Sequence, residues 1–121
     1  MAVKFDLTSN TTGIFTNGAN ATTPDVAITG VNLNGGNPLN VTFVYDGTTL
    51  KMTLADTKTK AVFSYSWAIN IPTTVGGNTA YVGFTGATGY WNALQNLLSW
   101  TFSSSAAAAA VPSAPTNLRV Q

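Results

Sequence analysis

The stretch NVTFVYDGTTLKMTL, residues 40–54, decides the fold. Apolar side chains occupy alternate positions on both sides of a central Asp-Gly pair: Val41, Phe43, Tyr45, Leu50, Met52 and Leu54. A period of two places such side chains on one face of a strand, and Asp46-Gly47 is a favoured turn between two antiparallel strands. The stretch therefore predicts a β-hairpin with one apolar face.

The same alternation continues along the chain and favours strands over helices. Residues 62–71 place their large apolar side chains on one face, namely Phe63, Tyr65, Trp67, Ile69 and Ile71. Residues 81–85 and 97–102 predict two further strong strands, and residues 3–7 and 26–31 predict shorter ones. Turn residues separate these runs, so the sequence predicts an all-β antiparallel sandwich or barrel.

The aromatic side chains of residues 62–71 admit two interpretations. Phe63, Tyr65 and Trp67 could form a ladder that stacks on a ligand, or they could belong to the core. The core is favoured because large apolar side chains are usually buried. Trp100 lies between Leu98 and Phe102 at period two and is likewise predicted to be a core residue.

The composition excludes several functions. The 121 residues include five Lys or Arg and four acids, all of them Asp, and they include no Glu, His or Cys. Most routes to acid–base, thiol and zinc catalysis are thereby closed, and the Asp residues are not paired as glycosidase carboxylates are, so the chain is predicted not to be an enzyme. Five cations are too few for a phosphate track or an anionic membrane, which excludes nucleic acid and membranes as partners.

The composition changes after residue 104. Residues 105–111 are mostly alanine, which predicts a linker, and residues 112–121 resemble the first strand of a fibronectin type III module. The globular part is therefore predicted to span residues 1–104 and to belong to a longer parent protein. We find no signal peptide and no run of 18 apolar residues.

Three stretches resemble the second half of the L-type, or legume-type, lectin domain. AVKFDLTSN at residues 2–10 is similar to the family's metal-loop strand, while YVGFTGATG at 81–89 and LLSWTF at 97–102 are similar to its paired later motifs. The resemblance is closest to bacterial extracellular members. It implies a concanavalin A-like antiparallel β-sandwich (jelly roll) in a half-length version, a carbohydrate-binding function, and an extracellular or cell-surface location.

The family domain is about twice as long as the part that this chain resembles, and the half upstream of the metal-loop strand is missing. That half supplies an aspartate and a glycine of the family's sugar site. Its absence would leave apolar faces and sheet edges uncovered, and uncovered faces and edges favour pairing with another chain. The resemblance therefore leads us to expect a homodimer or a higher homo-oligomer.

The resemblance implies a calcium site at Asp6, the Thr8 carbonyl and Asn10. The family's later aspartate is replaced by Phe15 and its transition-metal glutamate by Lys4, so no transition metal is expected. Calcium usually takes six to eight oxygens and more than one carboxylate. The alternative is that Asp6 and Asn10 only cap a loop through side-chain hydrogen bonds to the backbone.

The resemblance also implies a sugar site in the loop of residues 86–95, together with Asn10. Gly89, Tyr90, Trp91 and Asn92 are its candidate sugar contacts, because aromatic faces stack on sugar rings and amides pair with hydroxyls. The aromatic pair could instead pack inward or contact a protein. Correspondingly, the chain is predicted to be a lectin-like module, and a structural or assembly module without sugar binding or an engineered half-lectin fragment stays open.

Overall fold

The computed structural model describes residues 1–18, 25–88 and 92–104. Within these residues the chain forms two three-stranded antiparallel sheets, with strand orders β1-β2-β3 and β4-β5-β6. The strands are β1 (Ala2–Asp6), β2 (Thr11–Phe15), β3 (Val26–Ala27), β4 (Leu39–Tyr45), β5 (Thr49–Asp56) and β6 (Val62–Ala68), and one short helix, α1 (Ile71–Val75), follows them. The predicted all-β antiparallel fold is confirmed.

The hairpin predicted from residues 40–54 is present as β4 and β5. Tyr45 pairs with Leu50, so the strands meet in register beside the turn. The Asp46 carboxylate closes this turn, because its Oδ1 accepts hydrogen bonds from the backbone N–H groups of Thr48 (2.9 Å) and Thr49 (2.7 Å). Short polar side chains commonly make such bonds at turns, so the Asp-Gly signal specifies this connection.

The second sheet has one apolar face, as its alternation predicts. Leu50, Met52 and Leu54 are buried on β5. Directly opposite them on β6 lie the three aromatic residues, in the pairs Leu50 with Trp67, Met52 with Tyr65 and Leu54 with Phe63. Directly opposed residues share a face, so the predicted common face of β6 is confirmed. The aromatic residues are less buried than a core position requires, since Tyr65 is 38% exposed and Trp67 is half-buried.

The core lies where the two sheets meet. Ile28 and Val31, from the segment after β3, form a buried cluster with Leu54 of β5, and Phe5 of β1 packs against this cluster. The Phe5 ring also lies 6.4 Å from the Phe43 ring of β4, measured between centroids. The segment after β3 therefore supplies two of the side chains that join one sheet to the other.

The strand predicted over residues 62–71 is shorter than expected. It ends at Ala68, and Ile71 begins α1 instead of extending the strand face. The Asn70 side chain accepts a hydrogen bond from the Thr73 N–H (2.9 Å), Pro72 lies in the first turn, and Gly76 ends the helix at φ 84°. An N-cap Asn, an early Pro and a left-handed Gly are helix signals, and here they override the alternation.

The strands predicted at residues 81–85 and 97–102 are not present. Neither segment has regular secondary structure, although both alternate as expected. A strand is stabilised by a hydrogen-bonded neighbour, and among the described residues neither segment is paired in a sheet. The prediction that Trp100 is a core residue is also wrong, because Trp100 is 48% exposed.

The chain divides into two compact units, Met1–Val82 and Gly83–Gln121, and both sheets belong to the first. In the second unit, the Trp100 ring meets the Phe84 ring edge to face at 5.4 Å. The predicted linker at residues 105–111 and the predicted fibronectin-like strand at residues 112–121 lie outside the described residues. None of the described helical structure is long and apolar enough to cross a bilayer.

Asp56 is a buried carboxylate at the end of β5, where it is 5% exposed. Its Oδ2 accepts a hydrogen bond from Asn37 Nδ2 (2.9 Å), and its Oδ1 accepts bonds from the N–H groups of Lys58 (2.8 Å) and Thr59 (2.9 Å). These bonds favour the ionised form and lower the pKa of Asp56 from 3.8 to about 2, with the Asn37 amide as the largest influence.

We predict that Asp56 stabilises the fold at neutral pH and that this contribution is lost on acidification. Because the folded pKa lies below the unfolded one, the contribution is complete above pH 3.8 and falls as the pH approaches about 2. Urea denaturation from pH 2 to 7 should show Asp56→Asn less stable than the wild type at pH 7, with the difference shrinking below pH 4.

Asn37→Ala serves as the second variant, because it keeps the carboxylate and removes its main donor. Its loss of stability on acidification should be smaller than in the wild type and should end at a higher pH, because the folded pKa of Asp56 then lies closer to the unfolded value of 3.8. Parallel stability curves for the wild type and Asp56→Asn across the whole range would contradict this role.

Candidate functional site

Asp6 ends β1 and organises the turn that leads to β2. Its Oδ1 accepts hydrogen bonds from the backbone N–H groups of Thr8 (3.0 Å) and Ser9 (3.1 Å). The Ser9 N–H has the largest influence and lowers the pKa of Asp6, so the carboxylate is ionised at neutral pH. These contacts match the loop-capping alternative that the sequence left open for Asp6.

Asn10 connects the same turn to the segment that follows β3. Its side-chain Nδ2 donates to the carbonyls of Ile28 (2.9 Å) and Val31 (2.9 Å), and its Oδ1 accepts from the Leu33 N–H (2.8 Å). Its own carbonyl accepts from the Ile28 N–H (2.9 Å). An amide has two N–H donors, and both are used here. The predicted sugar contact at Asn10 stays a prediction: both N–H groups are in use, and Oδ1 keeps one further acceptor position.

The backbone of Asn10 is also unusual, since its φ is 53°. Asn tolerates this left-handed region better than most residues, because its short side chain can bond locally. The left-handed turn therefore directs the amide at residues 28–33. Asn10 has a structural role that its place in a ligand motif does not predict.

A cluster of charged side chains lies on the face of the first sheet opposite Phe5. Lys4 Nζ pairs with the Asp25 carboxylate and lies 3.8 Å from Asp6 Oδ2. Thr11 Oγ1 donates to Asp25 Oδ2 (3.4 Å), and Lys4 Nζ lies 5.1 Å from the centroid of the Phe15 ring. The ammonium is therefore surrounded by two carboxylates and an aromatic face, all of which attract a cation.

This arrangement fits a divalent metal ion poorly. Calcium needs several free oxygens, but Asp6 Oδ1 and Asn10 Oδ1 already accept N–H donors, and Asp6 Oδ2 faces the Lys4 ammonium. Throughout the described part of the chain, no three His, Cys, Asp or Glu side chains group closely enough to hold a metal. The calcium set of Asp6, Thr8 and Asn10 stays a prediction, and these contacts count against it.

The loop of residues 86–95 is closed at its base. Gln95 Nε2 donates to the Ala87 carbonyl (3.1 Å), and a Cβ at Gly86 would lie only 2.8 Å from Gln95 Oε1. Asn92 is exposed. Gly89, Tyr90 and Trp91 lie outside the described residues, so their roles stay predictions.

The sequence did not predict the contacts that fix the turn between β1 and β2 or the base of the loop 86–95. Asp25 is 21 positions from Lys4, and Asn10 is 18 to 23 positions from its partners, so no local pattern links them. The sequence marks Gln95 only as the last residue of the loop 86–95. The low number of charged residues is the one sequence signal for the pair of Lys4 and Asp25, because five cations and four acids allow few ion pairs.

Comparison with known proteins identifies a family that this chain matches. The profile of the legume lectin domain matches residues 1–117. Over 80 residues the chain is also 36% identical to the L-type lectin-domain containing receptor kinase I.7 of Arabidopsis thaliana. That alignment covers 64% of this chain and 12% of the receptor kinase, so the chain spans only a small part of this relative.

We predict that Asn10→Ala destabilises the fold by roughly 2–4 kcal/mol, because three side-chain hydrogen bonds are lost at about 1 kcal/mol each and a left-handed residue loses its Asn. Asn17→Ala is the matched control: Asn17 has the same φ of 53° but is exposed. The control should cost only about 1 kcal/mol, the price of the backbone conformation alone.

Chemical denaturation of the wild type and both variants measures these free energies of unfolding. Asn10→Asp should also be destabilised, since it replaces two N–H donors with a carboxylate facing two carbonyls. Equal losses for Asn10→Ala and Asn17→Ala would show that the amide contacts contribute little.

Proposed function

Because the chain belongs to the legume lectin domain family, whose members are non-catalytic carbohydrate-binding domains, we propose that it binds sugar through the loop of residues 86–95. The proposed contacts are the backbone and side chains of Gly89, Tyr90, Trp91 and Asn92. Asn10 is a further proposed contact, although its amide is engaged with residues 28–33. The proposed function is binding alone, without catalysis.

One observation carries the choice of this loop. The Gln95 side chain donates to the Ala87 carbonyl and lies against Gly86, which ties the two ends of the loop together. A loop with a fixed base presents its tip at a lower entropic cost on binding than an open loop does. The sequence between these ends includes Tyr90, Trp91 and Asn92, whose residue types offer aromatic faces and an amide for a sugar ring.

We predict that Trp91→Ala reduces glycan binding by about tenfold or more, because the loss of a central aromatic contact commonly costs about 2 kcal/mol. A glycan array identifies a ligand, and calorimetry with that sugar gives the affinities. Tyr81→Ala is the matched control, since Tyr81 is a fully exposed aromatic residue outside the loop. Its affinity should equal that of the wild type.

The base of the loop has its own test. Gln95→Ala removes the hydrogen bond to Ala87 and should weaken sugar binding about fivefold. Gly86→Ala should also weaken it, because the new Cβ displaces the Gln95 side chain, yet it should have no further effect in a Gln95→Ala background. A loss that Gly86→Ala causes equally in both backgrounds would contradict this account of the loop.

A second function is favoured by a different observation. Val41, Phe43 and Tyr65 lie on the apolar face of the second sheet and are each about 40% exposed. Large exposed apolar patches often mark contacts between proteins. The alternative proposal is therefore a structural or assembly module without sugar binding, or an engineered half-lectin fragment, and silence across all glycans would favour it over the lectin.

Either function is compatible with self-association, and we propose a homodimer or higher homo-oligomer that uses this apolar face. Tyr65→Lys should shift the protein towards monomer in sedimentation velocity, because it places a charge within the face. Val62→Lys is the matched control, since Val62 lies on the same strand but on the opposite face and is 60% exposed. A wild type that is monomeric at all concentrations would contradict the proposal.

Legume lectin domains are typically extracellular, and we propose an extracellular or cell-surface location for this chain. The Ala-rich residues 105–111 would act as a linker to a fibronectin-like segment at residues 112–121. We also propose that the chain belongs with the bacterial extracellular members of the family. Legume lectins generally bind calcium and manganese, whereas the proposed site here uses no transition metal, because Lys4 replaces the transition-metal glutamate expected from the family and the chain has no His.

A further inference from the structure

We propose that the Lys4 ammonium is a built-in cation that replaces the divalent metal of related lectins at the turn between β1 and β2. Lys4 and Phe15 stand where the family resemblance expects a glutamate and an aspartate. In this structure those two substituted residues contact each other, with Lys4 Nζ 5.1 Å from the Phe15 ring centroid. The two departures from the family pattern therefore form one interaction.

The charges around the ammonium support this replacement. Lys4 Nζ pairs with Asp25 and lies 3.8 Å from Asp6 Oδ2, and its side chain is only 28% exposed. A metal ion in such a site would neutralise the two carboxylates, and the ammonium already does so in part. A divalent ion bound by Asp6 would also lie close to the ammonium and be repelled by it.

The turn is closed by the chain itself. Asp6 Oδ1 accepts two backbone N–H groups, and the Asn10 amide makes three hydrogen bonds to residues 28–33. The oxygens and the loop conformation that a metal would organise are therefore already fixed by hydrogen bonds. The fold should be as stable without calcium or manganese as with them.

The first test is thermal unfolding of the wild-type chain in EDTA, in millimolar calcium and in millimolar manganese. The melting temperatures should agree within about 1 °C, whereas an ion present at 100 times its Kd would raise the melting temperature by several degrees. Such a rise would overturn the proposal. The measurement involves no sugar, so it is independent of the proposed lectin function.

The second test is a double-mutant cycle between Lys4 and Asp25. Lys4→Gln and Asp25→Asn should each lower the melting temperature in EDTA by about 2–5 °C, and the double variant should be no worse than the poorer single variant. Additive losses would show that the ion pair does not stabilise the turn, and they would overturn the proposal.

The third test restores the carboxylate that the family places at position 4. Lys4→Glu brings three carboxylates together, so it should be less stable than Lys4→Gln in EDTA and should recover in calcium or manganese. Calorimetry should detect ion binding to Lys4→Glu and none to the wild type. A folded Lys4→Glu chain with no response to either ion would overturn the replacement. If that variant does not fold, the wild-type titration and the double-mutant cycle decide.

Discussion

The fold depends on the hydrogen bonds of one amide, that of Asn10. They tie the turn between β1 and β2 to residues 28–33, and that segment carries Ile28 and Val31 into the core beside Leu54 of the other sheet. The turn would otherwise leave the backbone groups of residues 28–33 without these partners, and unpaired polar groups near a core are costly. The contact between the two sheets thus rests on a polar side chain at its margin.

The sequence allowed the hairpin to be predicted because its information is local. Alternation over residues 40–54 sets the apolar face, and the Asp46 turn sets the register, so no distant residue is needed. The end of β6 shows the limit of that reasoning. Ile69 and Ile71 continue the alternation, but Asn70, Pro72 and Gly76 specify a helix, and three local helix signals outweigh a period of two.

Features that depend on distant partners could not be predicted in this way. Residues 81–85 and 97–102 alternate like strands, yet alternation describes a face and does not supply a neighbouring strand. The site shows the same limit. The motif at residues 2–10 predicts Asp6 and Asn10 as ligands, but the pairing of Lys4 with Asp25 and the bonds of Asn10 to residues 28–33 arise only on folding.

The hydrogen bonds of Asp6 and Asn10 bear on both metal binding and sugar binding. Residues that would hold a metal and a sugar in a full lectin site are here committed to the fold, since Asp6 caps its turn and both N–H groups of Asn10 are in use. A chain with only five cations and four acids has few charges with which to build a second such site. The sugar site proposed at Tyr90, Trp91 and Asn92 would need neither a metal nor an ion pair, because aromatic faces and amides recognise a sugar ring without charge.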